Sequence, residues 1–303
     1  KCDWSSDVCS SDLEETETEF LNSFEIFVNQ NERRLITSEG IDITEKYPTS
    51  TLDLVVNARN AEKEIELYRL YSMGLIDPEQ LKKDTEELLR FGKDRLETVP
   101  TPNLGTAAMV LSTDAALEVY HYFLDNMNAA FVVRGMSSFE IGKPISEEGD
   151  GDRISLRALR ELPGSPDNFA ADAEGAPVRD MYIIRNGIPE NYTGSRMFSQ
   201  YLGLENSFIV SNWSVSGGSM KAEEIRSGRF LEIVEFSDFQ IDSMTGDIFG
   251  EIRLAYYHDG EGNSVPVSGG SVSGSMLDNL GTMRMSEETR RFANAEIPCV
   301  TRL

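Results

Sequence analysis

His121, one of only two histidines in the chain, stands in the stretch 110–127, VLSTDAALEVYHYFLDNM. Tyr122 follows it at once, and Asn126 lies five positions on. An imidazole can ligate zinc or carry a proton, whereas a phenol of pKa about 10 stays protonated at neutral pH and a carboxamide is a weak zinc donor. These three residues therefore read as a metal site or as what is left of one. A helix histidine held by hydrogen bonds accounts for His121 equally well. The second histidine, His258, sits in Tyr-His-Asp-Gly at 257–260 and reads as part of a surface turn. Cys299, in Ile-Pro-Cys-Val, reads as a buried thiol on a strand. Asp242, Asp247, Asp259 and Glu261 lack the spacing of a calcium loop, and the Gly/Ser-rich run 268–275 lacks the lysine of a phosphate-cradling loop.

A strand and a helix must position His121. Residues 107–111 are apolar and predict the strand. Ser112 or Asp114 then caps the helix by accepting hydrogen bonds from its first free amides, and Ala115, Leu117, Val119, Phe123 and Leu124 supply apolar positions. Upstream, the apolar runs 24–28 and 34–37 are parted by polar residues 29–32, which predicts a hairpin turn there. Leu52, Leu54 and Val56 alternate as in a strand, and residues 64–71 are read as a strand in preference to a helix. Pro78 opens a helix capped by Asp77, with Leu81, Leu88, Leu89, Phe91 and Leu96 along it. Downstream, 139–152 and 168–177 read as loops and 180–184 as a strand. Asn186 and Gly187 form a hairpin turn because both tolerate positive φ. Residues 208–210, 229–236, 249–257 and 264–267 predict further strands, with a tight polar turn at 242–247. The expected fold class is α+β, a mixed α/β N-terminal remnant followed by a larger β-rich domain.

With 303 residues, 40% of them apolar, the chain can build a real core. Its net charge of -24 disfavours nucleic acid, whose phosphates require clustered Lys and Arg. No apolar run approaches the roughly 20 residues needed to span a bilayer, so a cytoplasmic protein with no membrane partner is expected. Residues 1–13 stand apart: WSSDVCSSDL at 4–13 resembles the conceptual translation of a sequencing-adapter oligonucleotide. Cys2 and Cys9 then carry no disulfide or metal meaning, and the lone Cys299 fits a reducing compartment. Both native ends are expected to be missing. Pro100 and Pro102 mark a boundary between a truncated part at 14–100 and a larger unit at 101–303.

Four pieces occur in a telling order. Val-Leu-Ser-x-acid-Ala-Ala precedes His121. Asp-Ala-Glu-Gly-Ala-Pro at 172–177 comes with Ile-Ile-Arg-Asn-Gly at 183–187. Thr-Gly-Asp-Ile-Phe-Gly-Glu-Ile-Arg-Leu stands at 245–254, and Pro-Val-Ser-Gly-Gly-Ser-Val-Ser-Gly-Ser-Met-Leu-Asp-Asn-Leu at 266–280. In this series the chain, from residue 20 onward, resembles the TldD/PmbA (TldE) family of metallopeptidase-related proteins. The resemblance implies a cytoplasmic heterodimer of TldD-like and TldE-like subunits that degrades unfolded peptides or trims modified precursors.

It also implies a site. Catalytic members carry His-Glu-x-x-x-His, in which two imidazoles bind zinc and the glutamate takes the proton of the attacking water. Laid on this chain, the motif puts His121 at the first ligand, Tyr122 at the base and Asn126 at the second ligand, so one of three survives. A cysteine near the C-terminus is the third ligand in active members. Cys299 is the candidate here, without the glycine expected beside it. The resulting expectation is a non-catalytic TldE-like subunit with no zinc of its own, partnered by a TldD-like catalytic subunit. The alternatives are an active zinc metallopeptidase with an atypical site and a stand-alone peptide-binding scaffold. Peptide is expected at Gly269, Gly270, Ser271, Ser273 and Gly274, where small residues suit either close packing or an extended peptide along a sheet edge.

Overall fold

The computed structural model describes residues 16–146, 149–205 and 207–303, so the adapter-like segment with Cys2 and Cys9, and two residues of the expected acidic loop, lie outside the described residues. The chain begins with β1 (Glu19–Ile36), β2 (Asp42–Arg59) and β3 (Glu64–Met73), followed by α1 (Pro78–Leu96). β4 (Val99–Pro100) and β5 (Ala108–Leu111) lead to α2 (Ala116–Asn126) and α3 (Ala129–Val133). Next come β6 (Leu156–Leu159), β7 (Met181–Arg185), β8 (Ile188–Pro189), α4 (Arg196–Tyr201), β9 (Asn212–Val215) and α5 (Ala222–Ile225). The remainder is β10 (Arg229–Ile241), β11 (Asp247–Asp259), β12 (Ser264–Ser268), β13 (Ser271–Ser275), α6 (Met276–Asn279), β14 (Arg284–Met285), β15 (Thr289–Phe292), β16 (Ala295–Pro298) and β17 (Thr301–Arg302). The fold class is α+β.

Among the described residues the strands form three sheets. β1, β2 and β3 make an antiparallel meander. An eight-stranded sheet runs β14-β17-β5-β10-β11-β12-β4, with β13 also paired to β11. A six-stranded sheet runs β15-β16-β9-β6-β7-β8. β5 is clamped between β10, parallel, and β17, antiparallel, with Leu111 opposite Ile233 and Thr301. The main core joins Val119, Tyr120 and Phe123 of α2 to Leu231 and Ile233 of β10 and to Leu156, Ile183 and Trp213 of the six-stranded sheet. The helix after β5 is thus packed against both larger sheets, and its orientation is fixed by the burial of those side chains. A second core places Leu81, Leu88 and Phe91 of α1 against Leu52, Leu54 and Val56 of β2, together with Val234 and Leu254. The Asp77 carboxylate caps α1 by accepting from Gln80 N at 3.1 Å, with Pro78 in the first turn. No helix among the described residues is long and apolar enough to cross a membrane.

Three expectations about local structure are corrected. β1 runs unbroken through residues 29–32, and the turn comes later, where Thr37 N donates to Ile41 O at 2.9 Å and Gly40 has φ 90°. Residues 25–30 are all exposed, so polar side chains there continue the strand at no desolvation cost while the ladder holds register, Asn31 opposite Tyr47. Neither Ser112 nor Asp114 caps α2. Its N-cap is Ala115, which makes no side-chain cap bond, and carbonyls of Thr113 and Asp114 accept the amides of Ala116 and Leu117 instead. The strand expected at 208–210 begins only at Asn212. The Phe208 carbonyl accepts from Gly194 N and Ile209 N donates to the Asp172 carboxylate, so these backbone groups are taken by loops.

Candidate functional site

Consecutive residues of a helix point about 100° apart, and α2 sends His121 and Tyr122 to different surroundings. Tyr122 is 2% exposed and its ring meets Phe123 and Phe139 edge-on at 5.4 and 5.8 Å. Burial pushes its phenol above the ordinary tyrosine range, by more than a hydrogen bond to Ser138 lowers it. Asn126, one turn on, is 1% exposed and fully occupied: its amide donates to Tyr122 O at 2.9 Å and to Ser243 O at 2.7 Å, and its Oδ1 accepts from Ser138 N at 3.3 Å. These are the contacts of a core residue that ties the end of α2 to the turn between β10 and β11.

His121 instead faces outward, its side chain 46% exposed, with Nδ1 3.7 Å from Glu118 and the ring 5.5 Å from that of Trp213. It lines a recess of about 460 Å³ with Asp125, Asn128 and Phe198. The imidazole, the phenol and the amide therefore share a helix without sharing a site.

Cys299 is half-buried in the bend between β16 and β17, not on a strand, and packs with Val110, Ile225, Phe230 and Val300. Burial pushes its thiol pKa up, the opposite of what a thiolate ligand requires. His258 also departs from its expected surface turn. It lies on β11 opposite Phe230, stacked on that ring at 4.1 Å, and burial lowers its pKa. Zinc is a poor fit to these donors: Tyr122, expected at the base position, is a buried phenol, Asn126, expected at the second-ligand position, is a committed amide, and Cys299 packs in a different cluster. Among the described residues no group of three His, Cys, Asp or Glu side chains could hold a metal ion.

The Gly/Ser segment is built differently. Gly269 and Gly270 both have φ 80° and turn the chain from β12 into β13, while Gly269 N donates to Ile252 O at 3.0 Å and Ile252 N to Gly270 O at 3.1 Å. Glycine is required at these two positions by backbone conformation, since an added Cβ would meet nothing closer than 4.0 Å. Gly274 has ordinary room as well, with Ile248 the nearest neighbour at 3.9 Å. β13 pairs with β11 through Ser271 to Ser275, and among the described residues its other edge pairs with no strand. It borders a groove of about 810 Å³ whose lining also includes Leu231, Ile248, Ile252 and residues 101–109. The part of residues 101–109 in this groove is not legible in the sequence, because nothing in a Pro/Gly-containing connection states which sheet it will cross.

The sequence profile described as the PmbA/TldA metallopeptidase C-terminal domain matches residues 104–301. No curated protein matches the chain. Among solved structures, TldE from Thermococcus kodakarensis is similar at 15% identity and a TM-score of 0.75, over 91% of this chain and 66% of that one. A protein of Thermotoga maritima described as a candidate modulator of DNA gyrase is similar at 18% identity and a TM-score of 0.72, over 88% and 64%. A protein of Bacteroides thetaiotaomicron with the same description is similar at 16% identity and a TM-score of 0.76, over 97% and 68%. At such identities the likeness is one of fold, and the chain spans about two thirds of the length of these structures.

Proposed function

The chain belongs to the PmbA/TldD family of metallopeptidase-related proteins, and from that premise we propose that it is a non-catalytic, TldE-like subunit which completes a cytoplasmic peptidase by partnering a catalytic TldD-like chain and helping to hold the peptide. The observation that carries this reading is the fate of α2. The helix keeps a central place in the core, while the positions that would supply base and second ligand are filled by a buried phenol and a hydrogen-bonded amide. A buried, protonated phenol cannot take the proton of an attacking water at neutral pH.

Peptide handling is assigned to the groove beside β13. An unpaired strand edge offers backbone donors and acceptors to an extended peptide irrespective of its sequence, and Leu231, Ile248 and Ile252 in the groove's lining offer apolar contact to its side chains. Co-expression with a family member carrying an intact His-Glu-x-x-x-His motif tests the assignment. The two chains should co-purify as a complex of defined stoichiometry that hydrolyses peptides faster than the partner alone. Elution of this chain by itself, with no change in the partner's activity, would overturn it.

A further inference from the structure

A cavity of about 210 Å³ lies where β3, α1, the start of α2 and the turn between β15 and β16 meet, away from both the α2 histidine and the β13 groove. Most of its charges are spent on one another: Arg290 donates to Asp84 and to Glu87 at 2.9 Å each, and Arg69 pairs with Glu235. Three lining groups keep hydrogen-bonding capacity. Among the described residues the carboxylate of Asp114, although it lies in the field of Arg69, and the hydroxyl of Tyr71 make no hydrogen bond, and Arg291 uses only Nη1, on the carbonyl of Pro163. Leu81, Leu88 and Phe91 add apolar surface to the same lining.

A carboxylate and a guanidinium with hydrogen-bonding capacity to spare, on a cavity that also presents apolar side chains, complement a small zwitterion. Its ammonium would pair with Asp114, its carboxylate would take the remaining guanidinium N–H groups of Arg291, and its side chain would enter between Leu81, Leu88 and Phe91. The volume is below the roughly 300 Å³ at which pockets for larger organic ligands begin, which favours a single amino acid over a peptide. We propose that this cavity binds a free α-amino acid with an apolar side chain. The inference does not depend on the subunit's role in proteolysis.

Calorimetric titration of the purified chain with L-leucine, leucinamide and 4-methylpentanoate tests it, because the second lacks the carboxylate and the third the ammonium. L-leucine should bind saturably in the ~1 mM range, and each analogue about tenfold or more weaker. Asp114→Asn should abolish the advantage of leucine over 4-methylpentanoate, and Arg291→Gln its advantage over leucinamide. Both side chains are on exposed residues, so both variants should fold. Absence of saturable leucine binding, or leucine binding unchanged in both variants, would overturn the proposal.

Discussion

Asn126, expected at a ligand position, is engaged by the fold instead. Its side chain satisfies two carbonyls and one amide in a fully buried setting. Replacing it with alanine strands those groups, and Asn126→Ala should lower stability by roughly 1–3 kcal/mol in urea unfolding. The reverse experiment is also informative. Tyr122→Glu with Asn126→His would rebuild the motif's letters, yet the carboxylate would replace a phenol packed between Phe123 and Phe139. The double variant should lose about 3–5 kcal/mol, as an uncompensated buried charge does, and show no peptidase activity towards unfolded peptides. The sequence shows which residues stand at 121, 122 and 126, and the family resemblance suggests a broken motif there. Their divergence in space was not legible, because it depends on which face of α2 meets the sheets. For the same reason His258 read as a turn: nothing local reveals that Phe230, across the ladder, stacks on it.

Element by element, legibility followed burial on one face. β2 was readable because Leu52, Leu54 and Val56 alternate into a core, and α1 because Asp77 and Pro78 mark its start. The middle of β1 was not, since residues 25–30 are exposed and the burial pattern that distinguishes strand from turn is missing there. β10 carries two buried glutamates with opposite titration behaviour. For Glu232, burial alone would raise the pKa, but a two-pronged bond from Arg226 at 2.7 and 2.9 Å and a hydrogen bond from Ser112 hold the carboxyl below its ordinary range. For Glu235, burial outweighs Arg69 and the carboxyl is held above it. The depressed group stabilises the fold above its ordinary pKa and loses that contribution as pH falls through the lowered value. The raised group is penalised when ionised, so stability rises as pH falls from its raised value to its ordinary one. Urea unfolding from pH 7 towards acid should therefore show two gaps closing from opposite sides: the deficit of Glu232→Gln relative to the wild type shrinks, and so does the advantage of Glu235→Gln over the wild type, whose protonated carboxyl comes to match the amide. At β13, alternate N–H groups point to the free edge, so proline at either Ser273 or Gly274 removes an outward donor. One of the two variants should weaken peptide binding to the assembled complex by about tenfold, the amount expected for one well-placed hydrogen bond. Equal, wild-type affinity in both would exclude strand addition at this edge.

For the whole molecule, contacts between distant parts of the chain determine how the sheets assemble, and they were the least readable. Arg290 on β15 reaches Asp84 and Glu87 on α1, and Arg69 on β3 reaches Glu235 on β10, pairings separated by more than a hundred residues of sequence. Motif order carried the family assignment, which the profile match over residues 104–301 bears out. On the proposed reading the chain keeps the family's fold while Tyr122 and Asn126, at the positions expected for base and second ligand, serve the core and leave His121 alone at the surface. Zinc content after equimolar loading and exhaustive dialysis tests it most directly, with His121→Ala alongside. Neither protein should retain stoichiometric zinc, and the two should not differ. Near-stoichiometric zinc that is lost in the His121→Ala variant would contradict it.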